Sequence, residues 1–171
     1  MATEWSLLKN TLLVAYIAKN TNRDLTRRKL GTFIYILDNI SNKESVSSIN
    51  IYPDGIDIPD VNIILDVLRS SSLIDIQRRN IKITKNGIKK IEKMLSNPDD
   101  YRFRINYRLV SYLIKYDYNT LMNLAIYLAK KSSGEIIVTE ELSEIISGIN
   151  DIVNKFSEKE ERKMKRRLIN K

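Results

Sequence analysis

PDVNIILDVLRSSSLIDIQRRNIKITKNGIKKIEKML, residues 59–95, is the stretch on which the fold of this chain turns. Pro59 suits the first turn of a helix, where its missing N–H would have no partner anyway, and Val61, Ile64, Leu65 and Leu68 then recur at helical spacing. Ser70, Ser71 and Ser72 interrupt that periodicity. Leu73-Ile74-Asp75-Ile76 alternates with period two, Gln77-Arg78-Arg79-Asn80 follows, and Ile81-Lys82-Ile83 alternates again, which predicts a short β-hairpin with a basic tip over about Leu73 to Ile83. The Thr84 hydroxyl is placed to cap a second helix whose apolar stripe is Ile88, Ile91 and Leu95. Helix, hairpin, helix is the expected order.

On the N-terminal side, Thr3 or Ser6 is expected to start a helix carrying Trp5, Leu8, Leu12, Ala15 and Tyr16 inward. Its second half, Leu12 to Ala18, is apolar on nearly all sides. Asn20-Thr21-Asn22 ends it. Thr26 is the expected cap of a second helix with Leu30, Phe33, Ile34 and Leu37 at i, i+3, i+4 and i+7. Asn42 to Ile58 reads either as loop or as a strand pair, Ile49-Asn50-Ile51 and Ile56-Asp57-Ile58, turning at Pro53-Asp54-Gly55.

Beyond Asn97-Pro98 the pattern is helical throughout. Tyr101, Ile105, Tyr112, Leu113 and Tyr116 mark an apolar face, with Arg104, Arg108, Ser111 and Lys115 as a basic side. Asp117 or Asn119 can cap a helix with Leu121, Leu124, Ala125 and Leu128, closed by Ser132-Ser133-Gly134. Thr139-Glu140-Glu141 opens the next, and Ser157 to Glu160 reads as a capping box for a final basic segment, Arg162 to Lys171. A regular stripe of Leu142, Ile145, Ile146, Ile149, Ile152, Val153 and Phe156 either packs on the chain's own helices or forms a homodimer seam. The expected division is a domain over 1–97 and a C-terminal helical region over 98–171, in a mainly α chain.

Composition excludes several function classes. The 171 residues include no cysteine and no histidine, so thiolate nucleophiles, imidazole general bases, Ser-His triads and Cys or His metal ligands are absent. The adjacent carboxylate pairs Asp99-Asp100, Glu140-Glu141 and Glu160-Glu161 sit at helix starts or on charged faces, where the helix dipole accounts for them. Five glycines form no phosphate-binding motif. A non-enzymatic protein without metal or cofactor is expected. No apolar run approaches the ~20 residues of a membrane span and no leader pattern precedes Leu12, so a cytoplasmic chain without membrane contact is the expectation.

The formal net charge of +8 is unevenly placed. Between Arg69 and Lys93 eight Lys/Arg stand against two acidic residues, and from Ser157 to Lys171 seven stand against three. Concentrated positive charge attracts polyanions and releases their counterions on binding. Arg69, Arg78, Arg79, Lys82 and Lys85, with Lys165, Arg166 and Arg167 of the tail, are therefore the candidate nucleic-acid contacts.

Leu73-Ile74 after a small-residue turn, two short strands, and Thr84-Lys85-Asn86-Gly87 opening a helix together resemble the winged helix-turn-helix superfamily, which includes many archaeal and bacterial transcriptional regulators. The resemblance covers about Leu25 to Leu95. It implies a winged-helix fold with a hairpin wing, additional C-terminal helices, and duplex DNA bound by a helix in the major groove and the wing on the backbone. Other members of the superfamily are protein-interaction modules. Three readings stay open: a DNA-binding regulator or architectural factor; an interaction module in a larger assembly, meeting partners through the acidic Asp54 to Asp66 face and the long apolar stripe from Leu142 to Phe156; and RNA or single-strand binding by Tyr101, Phe103 and Tyr107 among Arg102, Arg104 and Arg108. Asp60 and Asp66 on the helix that would enter the groove favour the wing as the DNA contact.

Overall fold

The computed structural model describes residues 2–41, 48–130 and 138–169, excepting the side chains of 2, 3, 130, 161, 164 and 167–169. Among these the chain is mainly helical with two small antiparallel hairpins. Helices α1 (Ala2–Asn20) and α2 (Arg27–Ser41) are followed by strands β1 (Asn50–Tyr52) and β2 (Gly55–Asp57). Then come α3 (Pro59–Ser70), strands β3 (Ile74–Gln77) and β4 (Asn80–Ile83), and α4 (Lys85–Leu95). Helices α5 (Tyr101–Leu113), α6 (Tyr118–Lys130) and α7 (Glu140–Ile169) complete the chain. The stretch 59–95 thus folds as helix, hairpin, helix, and the ambiguous Ile49 to Ile58 segment is a strand pair.

Local signals account for most helix ends. Thr26 Oγ1 accepts from the Lys29 N–H (3.3 Å), Asp100 Oδ1 from Phe103 N–H (3.2 Å) and Thr139 Oγ1 from Leu142 N–H (3.2 Å). Asp117 caps α6 by accepting from Thr120 N–H at 2.8 Å, and these hydrogen bonds hold its carboxyl below the usual range. The capping carboxylate of Asp100 also pairs with Lys9, whose ammonium lies 5.2 Å from the Phe103 ring centroid.

Leu12, Leu13, Val14, Ala15, Ile17 and Ala18 are buried, so α1 is a central helix; it packs against α2, α3, α4, α5 and β4. One hydrophobic cluster runs from Leu7 through Leu65, Ile91 and Leu109 to Ile149, continuing across the turn at Asn97–Asp100. None of the helices, searched over the described residues, is long and apolar enough to cross a membrane.

Three local expectations are corrected. Trp5, expected inward, is 52% exposed and lies 5.9 Å under the Lys9 ammonium, because the buried side of α1 begins at Leu7. Ser157 does not start a new helix: α7 runs unbroken through it, and its hydroxyl donates back to the Val153 carbonyl (3.0 Å), as serine does mid-helix. Helix α5 ends at Leu113, so Lys115 and Tyr116 lie beyond it. The expected stop at Ser132-Ser133-Gly134 lies outside the described residues.

Helix α7 packs on α5 and α6, burying Leu142, Ile145 and Ile149 inside the chain; Ile146, Ile152, Val153 and Phe156 are half-buried. The Tyr112 hydroxyl lies against Gly148, where a Cβ would strike it. Burial first, then the Tyr116 hydroxyl at 3.3 Å and the charges of Glu144 and Asp151, push the Tyr112 phenol up from 10.0 to about 12. A raised phenol pKa means that the folded state keeps a proton that the unfolded state has lost, so stability complete below pH 10 declines as pH rises towards 12. Urea midpoints measured over that interval should fall more steeply for the wild type than for Tyr112→Phe, and equal slopes would remove the linkage.

Candidate nucleic-acid interface

The β3–β4 register pairs Ile74 with Ile83, Asp75 with Lys82, Ile76 with Ile81 and Gln77 with Asn80. Alternation therefore puts four isoleucines on the core side and Asp75, Gln77, Asn80 and Lys82 on the other. The turn is two residues long, Arg78 and Arg79, with φ of 49° and 66°. Two consecutive positive φ values mark a type I′ turn, the form that suits strand twist and is usually built from Asn-Gly. An L-residue with a Cβ pays about 1–2 kcal/mol to sit there. Both arginines are exposed.

Next to the turn, the hairpin is tied to the segment between α1 and α2 by three hydrogen bonds. Ile81 N–H donates to Leu25 O (2.7 Å), Leu25 N–H donates to Asn80 Oδ1 (2.8 Å), and Asn80 Nδ2 donates to Asp24 Oδ1 (3.1 Å). At the other end of the strands Thr84 joins the hairpin to both flanking helices. Its hydroxyl donates to Ser72 O (2.6 Å) and accepts from Gly87 N–H (3.1 Å), while its N–H donates to Leu73 O (3.0 Å). A Cβ on Gly87 would overlap the Leu73 carbonyl. This close seat fixes the first turn of α4, with Lys85, against Leu73, three residues beyond the end of α3. Along α4, Lys85, Lys89 and Lys93 follow at i, i+4 and i+8, about 6 Å apart, and are exposed together with Lys90.

Arg69, Arg78, Arg79, Lys82 and Lys85 are all exposed, and none makes an ion pair with a described residue. Lys82 stands opposite Asp75, but that carboxylate accepts from Ile76 N–H (2.9 Å) and Gln77 Nε2 (3.0 Å). Arg28 differs: it pairs with Asp54 and lies 4.0 Å over the Tyr52 ring, fastening the β1–β2 hairpin to α2. Its hydrogen bond to Asp54 further favours the protonated guanidinium. The structure thus places Arg78 and Arg79 at the hairpin turn, Lys82 along β4, and Arg69 and Lys85 in the helices that flank the other end of the strands. Lys165 and Arg166 are exposed on the last turns of α7, which packs on α5 and α6; the Arg167 side chain lies outside the described residues. The row Lys89, Lys90 and Lys93 was missed, although its four-residue spacing was a readable signal.

Two other surfaces differ from the expectation. Phe103 is 2% exposed, so the aromatic platform for base stacking lacks its central ring, and Arg104 donates to the Pro98 carbonyl. On α3, Asn62 is engaged by Arg27 (3.4 Å) and Asp57 (3.3 Å), while Ile63 and Val67 face solvent beside Asp66. No protein-family model, curated protein or solved structure matches the chain.

Proposed function

We propose that the chain is a nucleic-acid-binding protein, a regulator or architectural factor, that grips duplex DNA by its phosphates through the β3–β4 turn and the lysine face of α4. The observation that carries this reading is the turn itself: two exposed arginines without a partner among the described residues occupy a backbone geometry that disfavours them. Natural proteins keep strained residues where function uses them. The winged-helix reading is supported by the Ile81–Leu25 backbone bond, which ties the hairpin to the segment between α1 and α2. The inserted β1–β2 hairpin lengthens the connection between α2 and α3, and Asp60 and Asp66 on α3 would repel phosphate. The contact is therefore assigned to the wing and α4, with little preference for base sequence.

Each phosphate contact contributes about −0.9 to the slope of log affinity against log salt, so Arg78→Ala with Arg79→Ala should flatten that slope by almost two units on every duplex tested. Equal binding by wild type and the double variant across a salt series would reject the reading. Preference for single strands or RNA over duplex would replace the duplex as target. The alternative, a winged-helix interaction module, is favoured by one observation, the apolar and acidic exposed face of α3.

A further inference from the structure

A cavity of about 390 Å³ opens between α1, the end of α2, the first half of α5 and the middle of α7. That is the size of a small-molecule site, and clefts between packed helices are where such sites occur. From α1 it takes Ser6, Lys9 and Asn10, at i, i+3 and i+4 on one face of the helix. Lys9 donates to Asp100, but an ammonium has three N–H bonds, and this side chain is only 16% exposed. Asn106 Nδ2 donates to Asn10 Oδ1 (3.0 Å), which leaves Asn10 Nδ2 without a partner among the described residues. The α1 wall is therefore a row of donors.

The α2 wall has the opposite character. It holds Asp38, buried on the last turn of the helix, where the backbone carbonyls form the negative end of the helix dipole. Ser41 Oγ donates to one of those carbonyls, Asp38 O, at 3.2 Å. A carboxylate has about four acceptor sites, so Asp38 can accept from a ligand in addition to its contact within the chain. Leu37 and Ile40 of α2, Phe103 and Leu109 of α5 and Val153 of α7 line the rest with apolar surface. The charged side chains around the cavity are two cations, Lys9 and Arg102, and two carboxylates, Asp38 and Asp100, so the lining as a whole is neutral. It suits a ligand with two poles and no net charge. We propose that the cavity binds a small zwitterion with an apolar body, an α-amino acid such as phenylalanine, with its carboxylate on Lys9, Asn10 and Ser6 and its ammonium on Asp38. The site shares no residue with the β3–β4 turn or the lysine face of α4, and it goes beyond the nucleic-acid reading.

Titration of the full chain with L-phenylalanine, followed by calorimetry and by Trp5 emission, tests the proposal. Trp5 is the single tryptophan and its ring lies 5.9 Å from the Lys9 ammonium, so it reports on a ligand at the α1 wall. The dissociation constant should fall between about 0.1 and 1 mM, the range open to a ligand of about a dozen non-hydrogen atoms. 3-Phenylpropanoate, which lacks the ammonium, and 2-phenylethylamine, which lacks the carboxylate, should each bind about tenfold more weakly, and glycine, without the apolar body, should not bind measurably. Lys9→Met should weaken L-phenylalanine about tenfold and leave 2-phenylethylamine unchanged, whereas Asp38→Asn should weaken L-phenylalanine and leave 3-phenylpropanoate unchanged. Ser157 lines the cavity and bonds only within its own helix, so Ser157→Phe should fill the space and abolish binding at unchanged helicity. No binding of L-phenylalanine up to about 10 mM overturns the proposal. So does a singly charged analogue that binds as tightly as L-phenylalanine, or binding that survives Ser157→Phe. Should Lys9→Met or Asp38→Asn disturb the fold, the ligand series on the wild type decides alone. Arg78→Ala with Arg79→Ala should leave these titrations unchanged, so this proposal and the phosphate-binding reading fail separately.

Discussion

Gly31→Ala should lower the stability of the protein by about 3 kcal/mol, against the usual sign for a helix interior, where alanine is favoured over glycine by up to about 1 kcal/mol. Gly31 is buried in the middle of α2, and a Cβ there would overlap the carbonyl oxygen of Ile56 and approach its carbon at 3.0 Å. Those are main-chain atoms of β2, so no rotamer change can make room. The β1–β2 hairpin would have to lift off α2, breaking the Arg28–Asp54 pair and displacing Gly55 from the Tyr118 hydroxyl it abuts. For a chain of this size, 3 kcal/mol corresponds to a melting temperature lower by about 10 °C. Gly148→Ala is the informative comparison. There the obstructing group is the Tyr112 ring, which can swing aside, so the loss should be no more than about 1 kcal/mol. Thermal melts in which Gly31→Ala matches the wild type would show that β2 does not seat on α2 as described.

Arg78→Asn with Arg79→Gly should separate stability from binding more sharply than alanine replacement. Asn-Gly is the sequence a type I′ turn prefers, so relief at φ 49° and 66° should raise stability by about 1 kcal/mol after the larger unfolded-state entropy of glycine is counted. The melting temperature should rise by about 3 °C. Because neither replacement can ion-pair with a phosphate, affinity for duplex DNA at about 0.1 M salt should fall about 60-fold. More stable and weaker binding is the combined outcome expected of residues retained for binding at a structural cost. A variant that is both less stable and unchanged in binding would mean that the arginines serve the turn rather than a ligand.

Much of the secondary structure was readable because its causes are local. Pro59 at the first turn of α3, the threonine hydroxyls at 26, 84 and 139 and the carboxylate of Asp117 act within three residues of themselves. The period-two runs Ile74 to Ile76 and Ile81 to Ile83 state their own pairing once a two-residue tip lies between them. The basic cluster was equally plain, since charge is written directly in residue types, and counting along 69–93 found it without any knowledge of the fold.

What periodicity could not say is which surface covers an apolar face. Leu142, Ile145 and Ile149 present the same stripe to a second subunit or to α5 and α6, and only the tertiary packing of α7 decided for the latter. Trp5 and Phe103 are both large aromatics on helices; one is exposed and the other buried because the core reaches α1 only from Leu7 onwards and extends beneath α5. Pairing was hidden for the same reason. Arg28 and Asp54 are 26 residues apart, and only tertiary folding neutralises that arginine while leaving Arg78 and Arg79 without an ion pair among the described residues, at a strained turn. A residue's polarity and its near neighbours set its local geometry, whereas its partners across space come from packing, in which every distant element has a share.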